Sequence, residues 1–217
     1  RLLLAVLLAA SLALTVGVAG RVVYTETLET TNLVWNVFLA WIPLVLALVV
    51  YDGARRGTSR AALVGVGLLW LLFLPNAPYI VTDFKWLGRY DGGTQWCDPV
   101  LIGGAAAIGL ALGFLSLYLV QSVVTRRLGR SAGWLLAVGA LCASGVGVYL
   151  GRFERWNSWD VFTEPSRIVG QLASAALDPL AHGRPLALSV SFALAWCMGY
   201  ALFYATVRGR LGVLEEH

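Results

Sequence analysis

The chain has 217 residues, of which 59% are hydrophobic and only 13% are charged, and its mean hydropathy is +0.74. Soluble domains contain about 25% charged residues, so the composition excludes an ordinary soluble domain, and the net charge of +4 requires no nucleic-acid partner. Its apolar blocks reach the ~20 residues that span a bilayer, where backbone groups must be hydrogen-bonded within helices or closed barrels. We predict an all-α, polytopic membrane helix bundle.

The supply of metal-ligating residues is small. The chain has two histidines and three cysteines, and no two cysteines form a C-x-x-C pair. A structural zinc site or a disulfide framework is therefore not expected, and haem held by paired histidines is close to excluded. We predict no cofactor, we assign no metal, and we expect membrane lipids as partners.

Six transmembrane helices are predicted within a single integral membrane domain, residues 1–217, at about 2–19, 32–50, 61–84, 99–124, 131–151 and 185–207. The first span has an alternative interpretation as a cleaved signal peptide, since Arg1 precedes an apolar run that ends in small residues. That run is about 18 residues long, whereas a signal core usually has 7–15. We therefore expect a retained helix.

The second span begins with Thr31-Asn32, a predicted N-cap. Asn32 and Asn36 are four residues apart and therefore share one helical face. Trp35 and Trp41 lie near the start of the span, where an aromatic belt is expected. Asn36 belongs either to a binding site or to an interhelical hydrogen bond that holds the bundle together.

The third span is interrupted by the sequence LPNAPYIVTDFKW, residues 74–86. The apolar helix before it rises only about 21 Å, short of the ~30 Å hydrocarbon core, so the break at Pro75-Asn76 is predicted to lie inside the membrane. Backbone groups freed by such breaks bind substrates or ions in transporters. The alternative is a proline kink capped by Asn76, with Asp83 paired to Lys85 or to an arginine.

The following loop contains Gly92-Gly93, a predicted turn, and leads through Asp98 into the fourth span. Gly109 and Gly113 in that span form a GxxxG pair, which lets helix backbones approach closely. The motif predicts tight packing, and small-residue faces of this kind would also permit a homo-oligomer.

The fifth span ends in GRFERWNSWD, residues 151–160, the densest mixture of charged and aromatic residues in the chain. If the helix continues through this stretch, residues three and four apart share one face. That face then contains Arg152, Arg155, Trp156 and Trp159.

A short helix is predicted at residues 164–178, between the fifth and sixth spans. Glu164-Pro165 is a favourable start for a helix, and Asp178-Pro179 is its predicted end. Its apolar stripe predicts that it lies on the membrane surface.

Loop charges predict the orientation of the spans. One alternating set, with Arg1, residues 51–60, residues 125–130 and the C-terminal tail, has nine arginines or lysines and three acids, whereas the other set has seven and nine. Because short cytoplasmic loops are rich in Lys and Arg, we expect both termini in the cytoplasm. The three unusual stretches, in the second, third and fifth spans, are then all predicted to lie on the extracytoplasmic side.

These stretches together resemble a bacterial membrane-protein family catalogued as domain of unknown function 1361. The matching segments are Asn32–Asn36 with Leu39–Pro43, Leu74–Tyr79 with Thr82-Asp83, and Gly151–Phe153 with Arg155–Asp160. The resemblance covers roughly residues 30–205. It implies a multi-pass protein of the bacterial cytoplasmic (inner) membrane, and it supplies no catalytic role.

Ionisable groups at membrane depth are costly and by default indicate a site. The candidate ligand-binding residues are the polar and aromatic side chains of the unusual stretches, namely Asn32, Asn36, Asn76, Asp83, Asp98, Arg152, Arg155, Trp156, Asn157, Trp159 and Asp160.

Three functions fit these residues. In a binding or transport protein, the carboxylate, amide and backbone oxygens would take a hard cation or a proton, and the Trp and Arg side chains a polar or lipid-derived ligand. In a membrane enzyme acting on a lipid-linked substrate, Asp83 or Asp160 would be a general base, and Arg152 or Arg155 would stabilise developing negative charge. In a structural protein, the same network would lock helix ends and dock a partner.

Overall fold

A computed structural model describes residues 2–87, 96–177 and 183–215. The described chain is all-α, as predicted. Its helices are α1 (Leu2–Thr25), α2 (Thr31–Arg55), α3 (Arg60–Phe73), α4 (Asn76–Tyr79), a 3₁₀ helix (Ile80–Trp86), α5 (Cys97–Leu128), α6 (Arg130–Tyr149), a π-helical turn (Leu150–Glu154), α7 (Asp160–Thr163), α8 (Pro165–Leu177) and α9 (Gly183–Glu215).

Within the described residues, six stretches are long and apolar enough to cross a membrane, namely Leu2–Thr25, Thr31–Arg55, Arg60–Trp86, Cys97–Leu128, Arg130–Arg152 and Ala187–Arg208. They correspond one to one with the six predicted spans, so the chain is a multi-pass membrane protein. The short helix predicted at residues 164–178 is present as α8 and begins at Pro165, whereas its position on the membrane surface stays a prediction. The predicted turn at Gly92-Gly93 and the predicted helix end at Asp178-Pro179 lie outside the described residues.

The chain divides into two compact units, Arg1–Val123 and Val124–His217. In the first unit, α1, α2 and α5 contribute aliphatic side chains to one continuous core, together with Ala77 and Ile80 from the interrupted third span. Two of the polar contacts between helices in this unit lie beside the aliphatic core. The indole N–H of Trp41 donates to Ser11 at 3.1 Å, and that of the buried Trp70 donates to Ser116 at 3.3 Å.

The interruption of the third span is confirmed. The α-helix ends at Phe73, because Pro75 and Pro78 have no N–H to donate to the preceding turn. The chain continues as the single turn α4, where the N–H of Ala77 bonds to the carbonyl of Leu74 at 3.1 Å. A 3₁₀ helix then follows, with a tighter repeat than an α-helix, and it contains Asp83.

The broken segment lies directly against the glycines of α5. A Cβ atom added at Gly109 would lie 2.6 Å from the carbonyl oxygen of Ala77, and one added at Gly113 would lie 2.9 Å from the Cβ of Ala77. Only glycine therefore allows this approach. The tight packing predicted from the GxxxG pair is confirmed, and it occurs within the chain.

In the second unit, α6 packs along α9. A Cβ added at Gly145 would lie 2.5 Å from the carbonyl oxygen of Ser189. Trp134, near the start of α6, packs edge-to-face on Tyr204, towards the end of α9, with ring centroids 4.8 Å apart. The two helices therefore run antiparallel, with their backbones in contact around Gly145.

One local prediction was wrong, the N-cap of the second span, and one condition was not met, the continuation of the fifth span. The helix of the fifth span does not continue, because it widens into the π-helical turn and stops at Arg155, which adopts a left-handed conformation with φ 59°. Arg152, Arg155, Trp156 and Trp159 consequently do not form one helical face. At the start of α2 the N-cap residue is Thr30, whose side chain makes no capping hydrogen bond.

Candidate functional site

Asn36 and Asp83 meet between the second and third spans. The side-chain amide of Asn36 donates from Nδ2 to Oδ2 of Asp83 at 2.8 Å, although 47 positions separate them in the chain. Asp83 is only 5% exposed, and Asn36 is half-buried. The 3₁₀ helix presents the carboxylate, and α2 presents the amide. The interhelical hydrogen bond that the sequence offered as one role for Asn36 is therefore formed.

Asn76 caps the break before Asp83. Its Nδ2 donates to the carbonyl of Phe73 at 3.0 Å, which satisfies an oxygen at the open end of α3. Thr82 bonds back to the carbonyl of Tyr79 at 2.6 Å. Lys85 lies over the Trp86 ring, 4.7 Å from its centroid. Side chains thus satisfy carbonyls on both sides of the prolines, and the segment that holds Asp83 is well defined.

Asp98 forms a buried ion pair with Arg21, a residue just beyond the end of the predicted first span at residue 19. The guanidinium Nε lies 2.5 Å from Oδ1, and Nη2 lies 3.3 Å from Oδ2. Both residues are 4% exposed. Nη1 also donates to the hydroxyls of Thr25 and Thr27. The pair joins the end of α1 to the start of α5.

A sequence signal for Arg21 does exist. It is the only arginine or lysine between Leu2 and Ala54, and Thr25 follows four residues later. A lone cation at the end of an apolar helix needs a partner. What the sequence does not show is which of the acids, dozens of positions away, supplies it.

In the second unit, Trp156 forms the centre of a hydrogen-bonded network. Its indole N–H donates to Oε1 of Gln171 on α8 at 2.7 Å, and Arg167 lies over its ring at 5.3 Å. Gln171 in turn donates to Glu154 at 3.0 Å, and Glu154 accepts from the Tyr149 hydroxyl, also at 3.0 Å. The network holds α8 against the end of α6. The sequence did not predict these partners of Trp156.

The remaining candidates of this stretch are arranged locally. Oδ2 of Asp160 accepts from the backbone N–H of Asn157 at 2.6 Å and from its side-chain amide at 3.2 Å. This carboxylate therefore closes the turn that begins α7. Arg155 and Trp159 are exposed, and Arg152 is half-buried within the π-helical turn.

Asn32 lies apart from the Asn36–Asp83 contact. It is exposed on the first turn of α2, whereas Asn36, one turn later, reaches Asp83. The predicted site residues thus fall into local groups. Asn36 is hydrogen-bonded to Asp83, and Asn157 is hydrogen-bonded to Asp160. Asp98 forms its ion pair with Arg21.

The chemistry of these groups differs. The carboxylate of Asp98 faces a guanidinium, which compensates its charge within a buried pair. Asp83 sits on an interrupted span beside the amide of Asn36, and carboxylate and amide oxygens are ligand types that hard cations take. Among the described residues, no three of His, Cys, Asp and Glu cluster so that they could hold a metal ion.

A family described as "Protein of unknown function (DUF1361)" matches residues 35–198, which confirms the resemblance. The chain is also 29% identical over 106 residues to a 1,4-dihydroxy-2-naphthoate octaprenyltransferase of Mycobacterium tuberculosis (strain ATCC 25618 / H37Rv). That similarity covers 44% of this chain and 36% of the relative, so the chain spans little more than a third of that protein's length. No solved structure matches the chain.

Proposed function

The chain belongs to the DUF1361 family, and on that premise we propose that it binds or transports an ion or a small polar or lipid-derived ligand, with Asp83 as the central binding group. The protein would lie in the bacterial inner membrane with both termini in the cytoplasm. The site would then open to the extracytoplasmic side.

The observation that carries the proposal is the buried Asp83 on an interrupted membrane span, hydrogen-bonded by Asn36. An ionisable group inside a span is costly and is retained where it faces a pathway or a ligand. Breaks in transporter helices create binding sites of this kind. The cap by Asn76 and the glycine contacts of α5 support the same view, since they hold this carboxylate in a fixed place.

Native mass spectrometry of gently purified protein, with metal analysis of the same sample, is the direct test. Asp83→Asn removes the charge and keeps an oxygen that can still accept from Asn36. Asp52→Asn is the matched control, because Asp52 is exposed and pairs only along its own helix with Arg56 at 2.8 Å. A stoichiometric bound species that is lost in Asp83→Asn and kept in Asp52→Asn supports the proposal.

A second pair of variants tests whether the Asn36 amide itself, and not a general change in α2, is needed for binding. Asn36→Ala removes the donor to Asp83, so we expect it to weaken binding of that species. Asn32→Ala, on the same helix but exposed, should leave binding unchanged. If the wild-type protein shows a clean unliganded mass under every condition, the binding proposal fails, and a structural, partner-binding role is favoured.

One observation favours an enzyme as the second candidate. The similarity to an octaprenyltransferase connects the chain to a protein that, by its name, transfers a lipid chain. In that case Asp83 would serve as general base in the first unit, or Asp160 would do so in the second unit, where Arg152 or Arg155 would stabilise negative charge on a lipid-linked substrate. Expression of the wild-type chain should then change the lipid profile of the host membrane, and Asp83→Asn should abolish the change. An unaltered profile counts against the enzyme.

A further inference from the structure

Two cysteines of the second unit face each other between α6 and α9. Cys142 on α6 is a side-chain neighbour of Cys197 on α9, although 55 positions separate them in the chain. Both are free thiols. The sequence does not predict that these cysteines are neighbours, because no spacing motif connects them.

Cys142 and Cys197 lie at similar positions along their spans. Cys142 follows the start of α6 by twelve residues, a rise of about 18 Å. Cys197 follows the start of its span at Ala187 by ten residues, a rise of about 15 Å. Both residues therefore lie near the middle of spans long enough to cross a ~30 Å hydrocarbon core.

The packing around them brings the two backbones together. A disulfide requires Cα atoms about 4.4–6.8 Å apart, a spacing that helices reach only where small residues line the contact. Gly145 lies one turn from Cys142, and a Cβ added there would lie 3.0 Å from the Cβ of Ala193, one turn from Cys197. Cys142 and Cys197 therefore lie on facing turns of α6 and α9, one turn beyond this close contact.

We propose that Cys142 and Cys197 form a redox-active dithiol that a lipid-soluble two-electron oxidant, a quinone, converts to an intramolecular disulfide. Each thiol gives up one proton and one electron, and a sulfur–sulfur bond forms. The quinone takes up both protons and both electrons and becomes the hydroquinone. The exposure of Cys142 gives an oxidant dissolved in the bilayer direct access to the pair.

Thiol counting on the full-length protein in lipid nanodiscs tests the proposal. The protein is incubated with tetramethylbenzoquinone, whose fully substituted ring cannot add to thiols, then denatured and labelled with polyethylene-glycol maleimide. We expect the wild type to change from three labels to one, with a mass lower by two hydrogen atoms. Dithiothreitol should restore all three labels.

Single substitutions assign the bond. Cys97→Ser should change from two labels to none, whereas Cys142→Ser and Cys197→Ser should keep two labels after oxidation. Three labels on the oxidised wild type would overturn the proposal. So would a disulfide-linked dimer in place of the intramolecular product, or a loss of labels that persists in Cys142→Ser.

Discussion

Arg21 and Asp98 form a two-pronged ion pair that joins the end of α1 to the start of α5, and their side chains are 1% and 6% exposed. Two charges withdrawn from water in this way compensate each other, and a single buried charge left without its partner is strongly unfavourable. The threonine hydroxyls beside the guanidinium satisfy further donors of Arg21.

Removing either partner should therefore destabilise the first unit. We expect Asp98→Leu or Arg21→Met to lower the free energy of unfolding by about 3–5 kcal/mol, measured by thermal unfolding in detergent. The double variant should recover most of that loss, because no isolated charge remains. Arg56→Ala breaks the exposed pair with Asp52 and should cost no more than about 1 kcal/mol. An Asp98→Leu effect as small as that of Arg56→Ala would show that water reaches the pair.

The contact between Gly109 and Ala77 predicts a second effect. In Gly109→Ala the new methyl group would lie 2.6 Å from a backbone oxygen and 2.8 Å from Ile80 Cδ1, so the broken segment must shift. Overpacking of this kind costs about 1–3 kcal/mol. Thermal unfolding reports the loss, and weaker retention of any ligand at Asp83 reports the displacement of that side chain.

Gly103 offers the matched control on the same helix. A Cβ added there lies 3.9 Å from Phe84, an ordinary contact, and alanine is the better helix former by up to about 1 kcal/mol. Gly103→Ala should therefore be neutral or stabilising. If Gly109→Ala and Gly103→Ala had the same effect on thermal unfolding, that result would contradict the role of Gly109 in packing against the interrupted span.

The attachment of α8 depends on Gln171. Its side chain accepts from Trp156 and donates to Glu154, and each such bond contributes about 0.5–1.5 kcal/mol. Gln171→Ala should therefore speed hydrogen exchange in the α8 amides by roughly tenfold. Ser174→Ala is the control, since the exposed Ser174 bonds only to a carbonyl of its own helix. Unchanged exchange in Gln171→Ala would show that apolar contacts alone hold α8.

Hydrophobic blocks and prolines were enough to predict the six spans and the break in the third, because both follow from local backbone chemistry. The Gly109–Gly113 spacing predicted tight packing at α5, but it did not show that the broken segment of the third span is the packing partner. The partner of each polar group was not visible. Asn36 bonds to Asp83 across 47 positions and Arg21 to Asp98 across 77, and such pairings depend on how the helices pack.

The end of the fifth span shows a different limit. The sequence GRFERWNSWD contains no proline to stop a helix, so the predicted end of the span at residue 151 left open whether the helix continued beyond it. The chain instead forms a π-helical turn, and Arg155 takes the left-handed position that glycine usually occupies at a helix end. The compensating contacts come from α8, a segment that follows later in the chain.

That left-handed residue gives a test that separates structure from function. A side chain with φ 59° and ψ 30° is strained by about 1–2 kcal/mol relative to glycine. We expect Arg155→Gly to be more stable to heat than Arg155→Ala, by roughly 0.5–1 kcal/mol once the greater freedom of unfolded glycine is included. If Arg155 serves only as a helix end, both variants should keep any activity or bound ligand of the wild type. If its guanidinium contacts a ligand, both should lose it equally, although their stabilities differ. Equal stability of the two variants would contradict the strain itself.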